Sequence, residues 1–195
     1  MSCIKKIKID DTVYTANTDF RIAIKCNEIA QDETIGDFER VLGIICTMFG
    51  TEAIDNPNHY EKLLKWALNY LSCGKKSTGL EEEPDMDYVQ DMEYIEASFM
   101  SDYHIDLENI EMDWQKFYKL MNGLSNSEMG NCCVLNRIRN IRNFDVSEIK
   151  DAKEKDKIIK AKEMVRLKKH KKEKDVDLTE EQQKSVDEFY KALGF

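Results

Sequence analysis

The sequence predicts a mostly α-helical fold: a multi-helix globular bundle with a small N-terminal β-hairpin and a charged C-terminal helical extension. Charged residues make up 34% of the 195 residues, which is above the usual quarter. Only two prolines and eight glycines interrupt the chain. Apolar residues recur at helical spacing over most of its length. A sequence rich in charge and poor in helix breakers favours helix over sheet.

The first residues alternate in a way that is typical of strands. Isoleucines and lysines alternate over residues 4–9, Asp10 and Asp11 supply a turn, and residues 12–15 are β-branched or aromatic. This pattern predicts a hairpin, and a hairpin this small is stable only when a helix covers it.

Six helices are predicted downstream of the hairpin, before the charged extension. The first carries apolar residues on two faces from Phe20 to Ala30, which predicts a nearly buried helix, with Asn17 and Thr18 as cap candidates. The second runs over 38–49 and is stopped by Gly50, and the third has Asn56 as its cap, Pro57 as its first residue and an apolar stripe over 60–71. The fourth covers 88–103 and ends near His104, and the fifth covers 114–121, capped by Asp113 and stopped by Gly123. The sixth opens with a capping box of Ser125 and Glu128 and continues through Val134, Ile138 and Ile141.

The chain is predicted to divide into residues 1–145, the hairpin and helical core with a loop at 74–86, and residues 146–195, the charged C-terminal helices. Residues 150–174 contain twelve Lys or Arg against five Asp or Glu. Thr179 and Gln182 then form a capping box for a last helix, whose apolar residues are Val186, Phe189, Tyr190 and Leu193.

Composition excludes several classes of protein. A net charge of -9 argues against a general nucleic-acid binder, which needs a positive surface. Six cysteines without a CxxC pair indicate reduced thiols and not a disulfide framework. The absence of an apolar run of signal or membrane-span length predicts an intracellular protein without a membrane segment.

No residue pattern predicts catalysis, a cofactor or a metal site. The three histidines are far apart, the glycines are single, and the adjacent Cys132 and Cys133 are a poor metal pair. Thirteen Asp or Glu lie in residues 81–113, where a cation site is conceivable, but their alternation with apolar residues favours a solvated helix face.

The candidate contact residues are those of a protein-binding surface. Trp114 and Phe117 lie on an apolar stripe and are predicted to be core, whereas Tyr118 lies one position round the helix and is a candidate contact. Basic candidates in the 150–174 run contact either a partner or solvent, with the acidic 81–113 stretch as a possible counterpart. These candidates are Lys160, Arg166, Lys168 and Lys169.

Six segments of the chain resemble one known family, in the family's order. The segments, each followed by the family pattern, are YTANTDFR at 14–21 (YxINTDFR), MDYVQDMEYIEASF at 86–99 (DYxxDxxYIxxxF), HIDL at 104–107 (GIDL), MDWQKF at 112–117 (LHWWKF), LMNGL at 120–124 (LLxGL) and IRNIR at 138–142 (IxxIR). The family is the bacteriophage gene-product-fifteen proteins, encoded in the tail module of long-tailed phages and prophages of Gram-positive bacteria. His104 replaces the family glycine, and Asp113 and Gln115 replace its histidine and second tryptophan.

The resemblance implies a role in tail morphogenesis. The family's gene lies between those for the major tail protein and the tape measure protein, where other long-tailed phages encode tail assembly chaperones. We therefore expect a non-enzymatic, self-associating tail assembly chaperone that binds the tape measure protein or other tail proteins in the host cytoplasm. The alternatives are a structural tail or connector component of the virion, and a nucleic-acid-binding phage regulator that uses the 150–174 run.

Overall fold

The computed structural model describes residues 3–75, 84–126, 132–147 and 149–168, and every structural statement below concerns these residues. Within them the chain forms one two-stranded hairpin and seven α-helices, which confirms the predicted fold class. The elements are β1 Ile4–Ile9, β2 Thr12–Asn17, α1 Phe20–Gln31, α2 Asp37–Phe49, α3 Tyr60–Leu71, α4 Met92–Tyr103, α5 Trp114–Asn122, α6 Val134–Asn143 and α7 Ala152–Met164, with 3-10 helices at Thr51–Asp55 and Pro57–His59.

The hairpin is antiparallel, as predicted, and its turn is at Asp10, where φ is 52°. Tyr14 and Ala16 alternate with exposed residues along β2 and are buried, so one face of the hairpin packs on the helices. The Tyr14 hydroxyl lies 2.7 Å from His59 Nδ1, at the start of α3. This contact fastens the hairpin to the helical core.

The cap of α1 is Asp19, so the prediction of Asn17 or Thr18 was wrong by one or two residues. Asn17 still belongs to β2, and its side-chain oxygen accepts from the Asp19 N–H at 3.0 Å. Asp19 Oδ1 accepts from the Arg21 N–H at 2.9 Å. The Thr18 hydroxyl instead donates a hydrogen bond to Asp113 Oδ2 at 3.0 Å, because the chain here runs beside the start of α5.

The core centres on stacked aromatic rings from α1, α4 and α5. The Phe117 ring lies 4.6 Å from that of Phe20 and 5.2 Å from that of Phe99, centroid to centroid. Trp114 is fully buried, and its indole N–H donates to the Leu71 carbonyl at 2.9 Å. The prediction that Trp114 and Phe117 belong to the core is confirmed.

Helix α4 begins at Met92, four residues later than predicted, because the preceding residues form a turn. Asp87 Oδ1 accepts from the N–H groups of Val89 and Gln90, which closes that turn. Tyr88 is outside the helix, yet its ring lies 5.4 Å from that of Trp114. It therefore packs on the same core as the helical stripe. The end of α4 at His104 is as predicted.

Two other helix starts differ from the prediction. Pro57 opens a 3-10 helix, so α3 begins at Tyr60, and Asn56 makes no side-chain cap. Helix α6 begins at Val134 and its cap is Cys133, so the prediction that Ser125 is the cap was wrong. The Ser125 N–H is instead bound to Asp102 Oδ2 at 2.8 Å, which holds that residue against the end of α4. Glu128 lies outside the described residues.

Helix α7 contains no buried residue and is capped by Asp151, which accepts from the N–H groups of Lys153 and Glu154. Residues 76–83 of the predicted loop, and the predicted helix at 179–193, lie outside the described residues. The division of the chain at residue 145 stays a prediction.

Candidate functional site

An open cavity of about 870 Å³ is the candidate site, and we call it the α1–α7 groove. Its walls are one side of α1, the segment 84–90, the end of α6, and the segment 159–168. Residues of α1 and α7 both line it, and a groove between helices is a common docking site for an amphipathic helix.

A buried ion pair holds the segment 84–91 against the end of α6. Arg142, in the last turn of α6, donates from Nη1 and Nη2 to the two carboxylate oxygens of Asp91, each at 2.7 Å. These hydrogen bonds raise the pKa of Arg142 above its ordinary value. Arg139, one turn earlier, pairs with Asp85 at 3.0 Å. Two arginines of α6 therefore position the segment 84–91.

The α7 side of the groove is held by polar contacts to backbone carbonyls. Arg142 Nε donates to the Val165 carbonyl at 2.6 Å, and Lys162 Nζ donates to the Phe144 carbonyl at 2.6 Å. The Gln90 side chain both accepts from the Lys168 N–H at 2.8 Å and donates to its carbonyl at 3.0 Å. The segment 159–168 is thus a fixed wall, although α7 itself buries no side chain.

Apolar side chains face the groove from both walls. Val89 in segment 84–90 is 48% exposed, Ile159 in segment 159–168 is 39% exposed, and Leu167 of the same segment is half-buried. Basic and acidic residues surround them. An exposed apolar strip with a charged rim is typical of a protein-binding groove.

The predicted basic candidates divide between the groove and other surfaces. Arg166 and Lys168 line the groove. Lys160 does not line it and instead pairs with Asp156 at 2.8 Å, one turn earlier on α7. Lys169 lies outside the described residues.

Tyr118 is away from the groove, on α5. It is half-buried, its ring lies 5.8 Å from that of Trp114, and the Lys75 ammonium lies 4.9 Å from its ring centre. The structure therefore does not bring Tyr118 together with Arg166 and Lys168. Its role as a contact residue stays a prediction.

Two acids of the stretch 81–113 form ion pairs with α6: Asp85 with Arg139 and Asp91 with Arg142. The pairing of this stretch with the basic run 150–174 stays a prediction. Sequence reasoning missed Val89, Ile159 and Arg142. Arg142 and Asp91 both lie in segments that resemble the family patterns, but a pattern does not tell which acid faces which base.

Nothing in the described part of the chain gathers three or more His, Cys, Asp or Glu side chains into a group that could hold a metal ion. The six cysteines carry free thiols. Burial raises the pKa of the Cys26 thiol to about 12, so it stays protonated and unreactive at neutral pH. No helix among the described residues has the length and apolar character needed to cross a membrane.

Comparison with known proteins decides the family. Residues 2–167 match the model of the family described as Bacteriophage Gp15 protein. The chain belongs to this family. Membership indicates a phage structural or morphogenesis protein. The match to the Gp15 family spans the α1–α7 groove up to Leu167. No curated protein matches the chain. No solved structure matches it either.

Proposed function

We propose that this Gp15 protein is a non-enzymatic tail assembly chaperone that binds the tape measure protein in the host cytoplasm. The observation that carries the proposal is the α1–α7 groove, which is lined by the exposed apolar residues Val89 and Ile159. Family membership supports the wider role in phage structure or morphogenesis. The similarity of its segments to proteins encoded in the tail module supports the tail as the structure being built.

The groove suits an amphipathic helix. Such a helix presents apolar residues at positions i, i+3, i+4 and i+7, and these insert between the walls of an apolar groove. Arg166, Lys168 and Glu163 on the rim offer both signs of charge to the polar flanks of the helix. A long helical protein with an apolar stripe aggregates unless that stripe is covered during synthesis. The groove covers one short stretch, so a chaperone of this kind works as many copies along one partner.

The test is co-expression of the full chain with a tagged tape measure fragment from the same phage, followed by recovery on the tag. Val89→Asp and Ile159→Asp place a charge on the apolar strip and are expected to reduce recovery at least tenfold, which corresponds to about 1.4 kcal/mol of binding free energy. The matched controls are Val13→Asp and Ile4→Asp, because both residues are exposed apolar side chains of the hairpin, outside the groove. Both controls should bind like the parent.

Equal recovery of all four variants would exclude the groove as the binding surface. A second measurement separates assembly factors from virion components. A chaperone is expected to be absent from purified virions, whereas stoichiometric Gp15 protein in virions would indicate a structural tail or connector component. Nucleic-acid binding that weakens steeply with salt would instead favour the regulator.

A further inference from the structure

The described chain ends inside the wall of the α1–α7 groove. Leu167 and Lys168 line the groove, and both backbone groups of Lys168 are hydrogen-bonded to the side chain of Gln90 on the opposite segment. This double contact holds the point from which residues 169–195 continue. Lys168, the last described residue, is therefore held beside Gln90, which follows Val89 of the exposed apolar strip.

The sequence of residues 169–195 has the features of a groove ligand. The predicted helix at 179–193 carries Val186, Phe189, Tyr190 and Leu193 within one face, at the spacing i, i+3, i+4 and i+7. Lys184, Glu188 and Lys191 fall on the opposite face. This is the pattern expected of a helix whose apolar side inserts into a groove.

The charges of the two partners are complementary. Residues 175–195 contain six acidic and two basic residues, whereas residues 152–168, which include one groove wall, contain seven basic and three acidic residues. The exposed side chains of Arg166 and Lys168 lie on the rim. An acidic amphipathic helix is therefore attracted to this wall, and charge complementarity of this kind also selects its orientation.

The connection is long enough for docking within one chain. Residues 169–178 reach about 33 Å when extended at about 3.3 Å per residue. A short tether gives an effective concentration on the order of 1 mM, so even a weak apolar contact is occupied most of the time. We infer that residues 179–193 dock as a helix in the α1–α7 groove of their own chain. The inference rests on the position of Lys168 in the groove wall, the helical spacing of the apolar residues in 179–193, the complementary charges, and the length of residues 169–178.

The inferred docking makes the groove self-occluding. The exposed strip of Val89 and Ile159 is covered until a partner displaces the C-terminal segment, which prevents non-specific association of the free protein. The competition between this segment and a partner rests on the proposed function, because it requires the tape measure protein to bind the same groove. The docking itself is independent of which partner binds.

The docking is tested by hydrogen–deuterium exchange on the full chain. Phe189→Asp with Leu193→Asp should speed exchange at least tenfold in peptides from 84–91 and 152–168, because α7 buries no side chain of its own and loses its cover. Lys184→Gln with Lys191→Gln is the matched control, since it changes the net charge by the same amount on the opposite face. Peptides from α3 and α5, which do not line the groove, report that each variant is folded.

Equal exchange in the two double variants would overturn the inference. A variant on the other side of the contact gives a second measurement: Val89→Asp should speed exchange in peptides from 179–195. Protection that is lost on dilution would also overturn it, because an exchange of segments between two copies depends on concentration and docking within one chain does not.

Binding of the tape measure fragment separates this inference from the proposed function. Phe189→Asp with Leu193→Asp should bind the fragment about tenfold more tightly than the parent, because the competitor is removed. If exchange shows docking but no variant binds the fragment, the proposed function fails and the docking stands. If the fragment binds the parent and both double variants equally, the competition fails.

Discussion

Asp91 and Arg142 join the start of α4 to the end of α6 through two parallel hydrogen bonds. Asp91 is 1% exposed, and its Oδ2 also accepts from the Asp87 N–H at 3.1 Å. The two residues come from segments that resemble the patterns DYxxDxxYIxxxF and IxxIR. The pair therefore explains why an aspartate and an arginine some fifty positions apart belong to one motif set: together they fix the segment that forms one wall of the groove.

Asp91→Ala is expected to lower the free energy of unfolding by about 3–5 kcal/mol, because it leaves the guanidinium of Arg142 buried without its counter-charge. Urea denaturation followed by circular dichroism measures this loss. Asp156→Ala is the control, since it breaks an exposed pair with Lys160 and should cost less than about 0.5 kcal/mol. Equal midpoints for the two variants would show that the buried pair adds no stability.

Trp114→Ala is expected to cost about 3–5 kcal/mol, because it removes a large buried ring and the hydrogen bond to the Leu71 carbonyl. Thermal unfolding and recovery of the tape measure fragment are measured together. Binding should fall only in proportion to the unfolded fraction. Tyr118→Ala, on the half-buried neighbour, should lower the melting temperature much less. A Trp114→Ala protein that melts like the parent but binds no fragment would show that this helix face is a binding surface.

Local signals predicted where helices end better than where they begin. Gly50 and His104 end α2 and α4 through their own positive φ values of 86° and 55°, which depend on the residue at that position. The starts of α4 and α6 depend on distant partners. Asp91 is held by Arg142, and the backbone of Ser125 is held by Asp102. Neither partner is near in sequence, so the apolar periodicity placed the start of α4 too early and the capping box at Ser125 placed the start of α6 too early.

The groove was only partly predictable for the same reason. A run of basic residues can be recognised from the sequence alone, and Arg166 and Lys168 of that run do line the groove. Val89 and Ile159 are single apolar residues in polar surroundings, and only the fold brings them into the same groove. Tyr88 is the opposite case: it fits the helical stripe although it lies in a turn, because both Tyr88 and Phe99 of α4 pack on Phe117.

The free energy of unfolding is expected to decrease as the pH falls, partly because Asp113 becomes protonated. Burial raises the pKa of this carboxyl, but hydrogen bonds from the hydroxyls of Tyr70 and Thr18 outweigh it and hold the pKa below its ordinary value of 3.8. The folded state therefore binds this proton less readily than the unfolded state does. The stabilisation is complete above the ordinary pKa and is lost as the pH falls through the lowered one.

Asp113→Asn removes that titration and keeps an oxygen that can accept from the Gln115 N–H. At neutral pH the free energy of unfolding of the variant should be lower by about 1.5–3 kcal/mol, the typical contribution of hydrogen bonds to a charged group. Between pH 5 and 3 its free energy of unfolding should fall less steeply than that of the parent. Urea titrations at each pH measure both slopes. Parallel slopes would mean that Asp113 has the same pKa in the folded and unfolded states.

His104→Gly is expected to stabilise the protein by about 0.5–1 kcal/mol, which restores the residue of the family pattern GIDL. His104 caps α4 in the left-handed conformation with φ 55°, and its side chain is exposed. A Cβ in that conformation costs roughly 1–2 kcal/mol, and this exceeds the added chain entropy of glycine, about 0.5–1 kcal/mol. The gain appears as a higher urea midpoint at an unchanged m value.

The sign of this effect is tested by two further variants. Ala97→Gly places the same residue in the exposed interior of α4, where it should destabilise by about 1 kcal/mol because the backbone there is right-handed. His104→Val should also destabilise, since a β-branched residue tolerates positive φ less well than histidine does. The expected order of midpoints is His104→Gly, parent, His104→Val. If His104→Gly fell below the parent, the histidine side chain would contribute more to stability than its backbone conformation costs.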